Sequence, residues 1–149
     1  MRQNGEGTRK TAGFTLIEVM IVVVIVAVLS SIAWPSYNSY LRRSNRSEAQ
    51  QLLASIANRE SQFLLDSRMY TNVIGATGLN ANTERWICTP AGAPTSCTNN
   101  AYVVSIAVDN AATPPTFLVT ATATGAQLPD GNLTIDQAGA KTRAGNPGW

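Results

Sequence analysis

The chain of 149 residues carries 11 Lys and Arg against 9 Asp and Glu, a formal net charge of +2, and only 13% of its residues are charged. This is about half the usual charge density, which excludes a highly charged disordered tail or a strongly basic nucleic-acid module as the main interpretation. The sequence has no His and only two Cys. It therefore offers no Ser-His-Asp or Cys-His catalytic group and too few ligands for a Cys/His zinc site. We predict a protein that is not an enzyme, with no catalytic residue, metal or cofactor.

The hydrophobic residues concentrate near the N-terminus, where 17 of the 21 residues from Phe14 to Trp34 are apolar. A helix of that length measures about 31 Å, which matches a hydrocarbon core of about 30 Å. The segment is apolar on every face, so an amphipathic surface helix does not fit. It is also longer than the apolar core of an ordinary secretory signal, which spans about 7–15 residues. The sequence predicts a transmembrane helix over residues 14–34.

A single acid, Glu18, interrupts this apolar segment. A carboxylate near the bilayer centre costs about 2.5–3.5 kcal/mol on insertion scales, less toward the interface, and intramembrane acids usually mark function. The alternative interpretation is that Glu18 reaches the lipid headgroups or stays protonated.

The segment around this acid has a recognisable pattern. Gly13-Phe14-Thr15-Leu16-Ile17-Glu18, preceded by the basic stretch Thr8-Arg9-Lys10-Thr11-Ala12, resembles the prepilin processing signal of type IV pilins and type II secretion pseudopilins. The resemblance implies that a prepilin peptidase cleaves between Gly13 and Phe14 and that Phe14 becomes N-methylated. Residues 1–13 are then a discarded leader peptide. In a stack of such helices, the Phe14 ammonium of one subunit can meet Glu18 of its neighbour and set the axial register.

The orientation in the membrane follows from the resemblance alone. Three Lys or Arg precede the apolar segment and three follow it, so the positive-inside rule leaves the orientation open. The resemblance implies a single-pass protein of the inner membrane with a periplasmic head, which later joins a cell-surface pilus. Its expected partners are other pilin subunits, the prepilin peptidase, the inner-membrane assembly machinery and, before assembly, membrane lipid.

A second helical half is predicted over residues 35–70. Trp34 suits the membrane interface, and Pro35 is predicted to kink or break the helix, as the resemblance also implies. Beyond it, one apolar stripe with helical spacing predicts an amphipathic helix that packs on a head domain. The stripe consists of Ala49, Leu52, Leu53, Ile56, Phe63 and Leu64. Arg46 and Arg59 are predicted to lie off the stripe and face water, with Glu60 near its edge.

Three arginines, Arg42, Arg43 and Arg46, follow the apolar segment. They are compatible with contact to DNA, with a solvated or headgroup-facing helix surface, or with pairing to neighbouring subunits. The solvated or headgroup-facing surface is the preferred interpretation.

Residues 71–149 are predicted to form the head. Residues 71–94 are rich in Asn, Gly, Thr and Pro and predict a long loop with a short extended piece at residues 86–88. Period-two patterns then predict strands, at residues 102–108, 116–123, 132–136 and a fourth piece at 141–143. A helix followed by consecutive strands predicts an α+β fold, with a long N-terminal helix (a transmembrane half and an amphipathic half) packed on a small antiparallel sheet. The head also resembles small minor pilins that end in Trp.

The two cysteines, Cys88 and Cys97, are predicted to pair in an oxidising periplasm. They lie before the first long strand, so the disulfide that commonly brackets the C-terminal loop in the resembled family has no counterpart in residues 128–149. Asp130 with Asp136, and Asp109 with Asn110, lack the dense ligand spacing of a calcium loop. Turn chemistry is their preferred interpretation.

Together these patterns predict a structural subunit of a type IV pilus, of the minor rather than the major kind. A pseudopilin of a type II secretion system is the first alternative. A DNA-uptake receptor pilin is the second, and the sequence disfavours it because residues after 70 supply only Arg85, Lys141 and Arg143 as cations. Nucleic acid is therefore not expected as a partner.

Overall fold

The computed structural model describes residues 13–75, 78–80, 86–89 and 94–149. The predictions for residues 1–12 of the leader, for Arg85 and for much of the loop over residues 71–94 lie outside the described residues. Contacts divide the chain into two units, one that ends at Ser39 and one from Tyr40 to Trp149. Each unit is described by itself.

One helix, α1 (Leu16–Ser67), covers most of the two helical halves predicted over residues 14–34 and 35–70, and it ends three residues before the predicted bound. It begins after Thr15, whose side-chain Oγ1 accepts a hydrogen bond from the backbone N–H of Glu18 at 3.3 Å. This Thr-x-x-Glu pattern is the N-terminal half of a capping box. The helix ends where Arg68 takes the left-handed conformation (φ 58°) and its N–H donates to the carbonyl of Leu64, a common way to terminate a helix.

In the second unit, the predicted apolar stripe of α1 forms one side of the core. Ala49, Leu52, Leu53 and Ile56 are buried, and Phe63 and Leu64 pack against the core at its margin. These positions recur at helical spacing, so one face of the helix is removed from water. The amphipathic half predicted over residues 35–70 thus has the predicted apolar face.

A seven-stranded antiparallel sheet covers that face, and its strands lie side by side in chain order. The α+β architecture predicted from the sequence is confirmed. The strands are β1 (Ile87–Thr89), β2 (Ser96–Thr98), β3 (Tyr102–Asp109), β4 (Thr116–Ala123), β5 (Leu133–Asp136), β6 (Lys141–Arg143) and β7 (Asn146–Pro147).

The four predicted strands are present within one residue of the predicted bounds. The elements absent from the prediction are short: β2, β7 and a 3₁₀ helix over Gly125–Asp130. A strand of two or three residues has too few positions to show a period, so local pattern cannot reveal it. Gly131, which follows the 3₁₀ helix, has φ 78°, which fits the predicted Asp-Gly turn signal because glycine takes positive φ without steric cost.

The two faces of the sheet differ in chemistry. The inner side chains are apolar and buried against α1, where Tyr70 also meets Phe117 edge to face with ring centroids 4.8 Å apart. The outer side chains alternate with them and are exposed or half-buried. The inner set includes Tyr102, Val104, Ile106, Phe117, Val119, Ala121, Leu133 and Ile135.

A disulfide joins Cys88 to Cys97, as predicted. The two residues are directly opposite each other on β1 and β2, and Cys97 is almost fully buried. The bond therefore ties the edge strand β1 to the rest of the sheet.

The C-terminal tail is ordered without a disulfide of its own. It forms β6 and β7, and the indole N–H of Trp149 donates to the carbonyl of Thr134 at 2.9 Å. The Lys141 ammonium lies 4.5 Å from the centroid of the Trp149 ring, a cation–π distance. Backbone pairing and the terminal Trp therefore hold this segment, which contains no cysteine.

Candidate assembly segment and polar cluster

The first unit presents an apolar helix surface that nothing in the unit covers. Every large apolar side chain from Phe14 to Trp34 is more than half exposed. Within the described residues, α1 is the one helix long and apolar enough to cross a bilayer, and its most apolar window is wholly unburied. A core helix of a soluble protein would be mostly buried, so this segment is not one.

Glu18 occupies the first turn of α1. The first N–H groups of a helix have no intrahelical acceptor, and the helix dipole favours negative charge there. Gly13 and Phe14 come just before the helix, and Phe14 is 84% exposed. The three residues of the predicted processing signal are therefore accessible within the first unit.

Pro35 lies inside α1, and the helix continues through it. Proline has no backbone N–H, so the carbonyl of Ser31 cannot receive the usual helical hydrogen bond at this point. The Ser39 hydroxyl donates to the carbonyl of Pro35 at 3.1 Å. The helix is not broken at Pro35, and a kink or local melting there stays a prediction.

In the second unit, a polar cluster centred on Asp130 joins α1 to the end of the 3₁₀ helix. The Arg46 guanidinium binds the Asp130 carboxylate with two nitrogens, Nη2 to Oδ1 at 2.6 Å and Nε to Oδ2 at 2.9 Å. The Tyr102 hydroxyl donates to Oδ2 at 2.7 Å, and Arg143 Nη2 lies 3.4 Å from Oδ1. The Asp130 side chain is only 4% exposed, so these donors replace water around the carboxylate.

Gln127 links this cluster to the helix backbone. Its amide Nε2 lies within hydrogen-bond distance of the Arg42 carbonyl at 3.0 Å and of the Tyr102 hydroxyl at 3.2 Å. Its Oε1 faces the amide of Asn45 at 3.4 Å. We name Asn45, Arg46, Tyr102, Gln127, Asp130 and Arg143 the Asp130 cluster.

The electrostatics of the cluster follow from these contacts. Burial acts to raise the pKa of Asp130, but the hydrogen bonds from Tyr102 and Arg46 outweigh it and hold that pKa below its usual value. Burial, together with the hydrogen bond to the anionic Asp130, raises the pKa of Tyr102 to about 12. The carboxylate is therefore ionised and the phenol neutral across the physiological range.

The prediction that Arg46 and Arg59 face water is wrong. Arg46 is engaged with Asp130, and Arg59 donates from Nη1 to the carbonyl of Leu79 at 2.9 Å. Both side chains extend from the flanks of the helix to polar groups that lie far away in the sequence. The periodicity of α1 predicts the side of the helix on which each arginine lies. It does not predict which residues from other parts of the chain lie next to that side.

Glu60, predicted near the edge of the stripe, is fully buried. Its Oε2 accepts a hydrogen bond from the backbone N–H of Thr71 at 3.1 Å, whereas Oε1 has no hydrogen-bond partner. Burial raises the pKa of Glu60 to about 7, and the Thr71 hydrogen bond offsets only part of that effect. This carboxyl group is protonated in part at neutral pH.

The predicted turn roles of the acids are confirmed at two positions and incomplete at a third. Asp109 and Asp136 accept hydrogen bonds from backbone N–H groups of the turns that follow them. Asn110 instead clamps the backbone of Tyr70 with both of its amide atoms. Asp130 is the residue that turn chemistry did not explain, since its partners come from α1, β3 and β6.

Most of the chain, residues 8–134, matches two described sequence families. Residues 8–34 match the prokaryotic N-terminal methylation motif. Residues 35–134 match a family described as type IV minor pilin ComP, DNA uptake sequence receptor. The second match covers more than half of the chain, and the chain therefore belongs to the type IV pilin family.

Curated relatives agree with this assignment. The chain is 33% identical over 113 residues to the fimbrial protein EcpC of Eikenella corrodens, which covers 76% of this chain and 64% of the relative. It is 39% identical over 72 residues to the type IV major fimbrial protein FimA of Dichelobacter nodosus, which covers 48% of this chain and 44% of the relative. It is 35% identical over 69 residues to the type IV major pilin protein PilA of Myxococcus xanthus, and this match covers 46% of this chain and 31% of the relative. The chain thus spans less than two thirds of the length of each of these relatives.

Proposed function

We propose that the chain is a minor subunit of a type IV pilus, assembled into the filament through the apolar half of α1 and supporting pilus biogenesis, twitching motility or adhesion. The observation that carries this proposal is the uncovered apolar surface of residues 14–34, which begins at a match to the methylation motif. A surface of this size stays out of water only in lipid or against other such helices. Before assembly the segment lies in the inner membrane with the second unit in the periplasm, and afterwards it lies inside the pilus.

Three residues have defined roles in this proposal. The prepilin peptidase cleaves after Gly13 and methylates the new amino terminus of Phe14. In the filament, that ammonium group pairs with Glu18 of a neighbouring subunit, because neither charge is stable alone among apolar helices. The first-turn position of Glu18 supports this role, since it places the acid close to the end of the helix that carries the ammonium.

The test replaces Glu18 by Ala and by Lys and measures the fraction of the protein that copurifies with sheared pili. We expect both variants to insert in the membrane and to be depleted from pili by at least about tenfold, which corresponds to about 1.4 kcal/mol or more. Asp66→Ala is the control, since Asp66 is an exposed acid of the same helix. Normal incorporation of both Glu18 variants would exclude the register role.

Deletion of the gene distinguishes a pilin from a pseudopilin. Loss of surface pili with intact protein secretion is the expected result. Intact pili with lost type II secretion would establish the pseudopilin alternative instead.

A second candidate function is binding of DNA, favoured by the description of the family that matches residues 35–134. The fold supports it in one respect, because it brings Arg46 of α1 close to Arg143 of β6. Arg46 and Arg143 both contact Asp130 Oδ1, and Lys141 is two residues from Arg143 on β6. The sequence argument against DNA binding counted only the cations after residue 70 and so left out the arginines of α1.

The exposed cations Arg43 and Lys141 provide the test of this candidate. Neither forms a salt bridge with an acid of the described residues. Lys141 lies against the ring of Trp149, which does not neutralise its charge, so both cations can meet a phosphate. Under this candidate, Arg43→Ala with Lys141→Ala reduces DNA uptake severalfold and lowers the salt dependence of DNA binding. Pilus number is unchanged, and Arg68→Ala serves as the control. Uptake at the wild-type level in the double variant would remove the candidate.

A further inference from the structure

The outer face of the sheet carries a continuous row of hydroxyl side chains. The strand registers place six Ser or Thr residues opposite one another, each paired with the next across neighbouring strands. Neighbouring strands lie about 4.8 Å apart, so the row extends over roughly 24 Å. We name it the hydroxyl row, and it consists of Thr89, Ser96, Ser105, Thr120, Thr134 and Thr142.

The hydroxyl row retains hydrogen-bonding capacity for a ligand. None of its members is buried, and two pairs interact within the row, Thr134 with Thr142 at 2.6 Å and Thr89 with Ser96 at 3.5 Å. Each hydroxyl has one donor and two acceptor positions, so even the paired members can accept further hydrogen bonds. Among the described residues, the central hydroxyls of Ser105 and Thr120 make no hydrogen bond.

A shallow groove of about 370 Å³ adjoins the row at one end of β3, β4 and β5. Its floor includes Ala107 and Leu118, which face each other across β3 and β4, and Leu118 is 43% exposed. Asp109 and Asp136 stand at the same end of the sheet. In each of these carboxylates, Oδ1 accepts hydrogen bonds from two backbone N–H groups. The other oxygen, Oδ2, can therefore accept a hydrogen bond from a ligand.

The charge of this face limits the class of ligand. The outward residues of β3 and β4 and those of β5 are uncharged apart from the two aspartates at the groove. No Lys or Arg is among them, so a phosphate or sulfate polymer would meet only negative charge. Arg46 and Arg143 are instead bound to Asp130, and Arg59 donates to the carbonyl of Leu79.

We propose that the outer face of the sheet binds a neutral saccharide chain, with the hydroxyl row hydrogen-bonding successive sugar hydroxyls and the groove holding one sugar ring. A sugar ring presents C–H groups on its face and hydroxyls at its rim. Leu118 and Ala107 can pack against the C–H groups of the ring face. The aspartate oxygens and the hydroxyl row can form hydrogen bonds with the hydroxyls at its rim. The row itself is uncharged, the two aspartates of the groove accept hydrogen bonds from sugar hydroxyls, and several sugar rings fit along the row.

This inference goes beyond the proposed filament function and does not depend on DNA binding. It assigns to the second unit a ligand class and a surface that neither candidate function uses.

The test measures binding of neutral hexasaccharides to the full chain in detergent micelles by NMR of its backbone amides. The probes are cellohexaose, maltohexaose, mannohexaose and N-acetylchitohexaose. Polygalacturonate and dextran sulfate serve as anionic probes, and the chitosan hexamer serves as the cationic one. At least one neutral hexasaccharide is expected to shift the amides of Ser105, Leu118 and Thr120. Its affinity should change less than about twofold between low and physiological salt, because no charge pairing is involved.

The matched variant removes three hydroxyls and keeps the shape of the sheet. Ser105→Ala, Thr120→Val and Thr134→Val are combined, since Val is isosteric with Thr and favours strands. Affinity for the neutral probe is expected to fall by about tenfold or more. The single variant Thr120→Ser, which keeps the hydroxyl, and Gln51→Ala, on an exposed part of α1, should both bind like the wild type.

Three results would overturn the proposal. They are no amide shift with any neutral probe, tighter binding of an anionic or cationic probe than of every neutral one, and unchanged affinity in the triple variant. Pilus incorporation of the triple variant is scored in parallel and should be normal, which separates this inference from the filament function.

Discussion

Glu60 is a carboxyl group of the second unit whose ionised form is poorly stabilised. Its pKa in the folded protein is about 7 against an ordinary value of 4.5, because burial removes water and Oε1 has no hydrogen-bond partner. Between these two pH values the folded state binds the proton more tightly than the unfolded state. Stability therefore falls as the pH rises from 4.5 to 7.

We expect Glu60→Gln to remove this pH dependence. The variant should exceed the wild type in free energy of unfolding by up to about 3 kcal/mol at pH 8, with little or no gain at pH 4.5. Urea unfolding of the full chain in detergent, followed by fluorescence of Trp86 and Trp149, measures both values. Gln62→Ala, at an exposed position two residues on, should retain the wild-type slope, and a Glu60→Gln variant with that same slope would show that another group is responsible.

Asp130 has the opposite effect on the pH dependence of stability. Its pKa is lowered in the folded state, so its contribution is present above the ordinary value of 3.8 and is lost as the pH falls through the lower folded value. Its removal leaves Arg46 and Arg143 as neighbouring cations that share no counter-charge.

Asp130→Asn is expected to destabilise the second unit by about 2–4 kcal/mol at pH 7, near the range for breaking a buried ion pair and reduced because both arginines are partly exposed. Thermal unfolding of the full chain in detergent provides the measurement. Asp66→Asn, at an exposed site of α1, should change stability by less than about 0.5 kcal/mol. A loss for Asp130→Asn no larger than that of the control would mean that the cluster has no net stabilising effect.

At the scale of elements, β1 is the edge strand and, among the strands of the described residues, it pairs with β2 alone. It is three residues long, and its outward residues Ile87 and Thr89 are exposed. The disulfide between Cys88 and Cys97 closes a loop of about ten residues, for which the chain-entropy model gives about 2.5–3 kcal/mol. The pairing of β1 is therefore expected to depend on this bond.

Replacing both cysteines by Ala should lower the free energy of unfolding by about 2.5–3 kcal/mol and increase hydrogen exchange of the β1 and β2 amides, with β4 and β5 little affected. Reduction of the wild type should have the same effect, and reductant should not change the double variant. Uniformly faster exchange across all seven strands would show that the bond stabilises the sheet as a whole.

The longer an element is, the more reliably the sequence predicted it. The stripe of α1 and the eight-residue strands β3 and β4 repeat their pattern often enough to identify type and face. β2, β7 and the 3₁₀ helix are too short for a pattern. The two strands form because β3 and β6 present backbone groups to pair with, whereas the 3₁₀ helix is held by local hydrogen bonds such as that from the Gln127 N–H to the Thr124 carbonyl. The Asp130 cluster was missed for a related reason: Asn45 and Arg46 are more than eighty residues from Gln127 and Asp130.

At the scale of the whole molecule, the charge balance depends on processing. The leader contains Arg2, Arg9, Lys10 and Glu6. The proposed cleavage after Gly13 would remove three of the 11 basic residues and one of the 9 acidic ones and leave 8 of each. Under this proposal the small basic excess belongs to residues 1–13, and the processed chain is neutral in its side chains.

We expect the protein in pili to begin at N-methylated Phe14, which mass spectrometry of its N-terminal peptide detects. Gly13→Val should block processing, because the side chain stands at the bond to be cut, and should leave the whole chain in the membrane fraction. Ala12→Val, one residue further from that bond, serves as the control. Processing of Gly13→Val at the wild-type rate would place the cleavage elsewhere.

The sequence by itself determined the membrane-length helix, its single acid, the processing signal and the long strands, because each is written in consecutive residues or in a short period. Only the tertiary structure decided that Asp130 binds Arg46, that Glu60 is buried with a raised pKa, and that six hydroxyls align across the sheet. Those features depend on residues that are distant in the chain and adjacent in the fold. Their physical basis is the register of the strands and the side of α1 that packs against them, which local pattern does not specify.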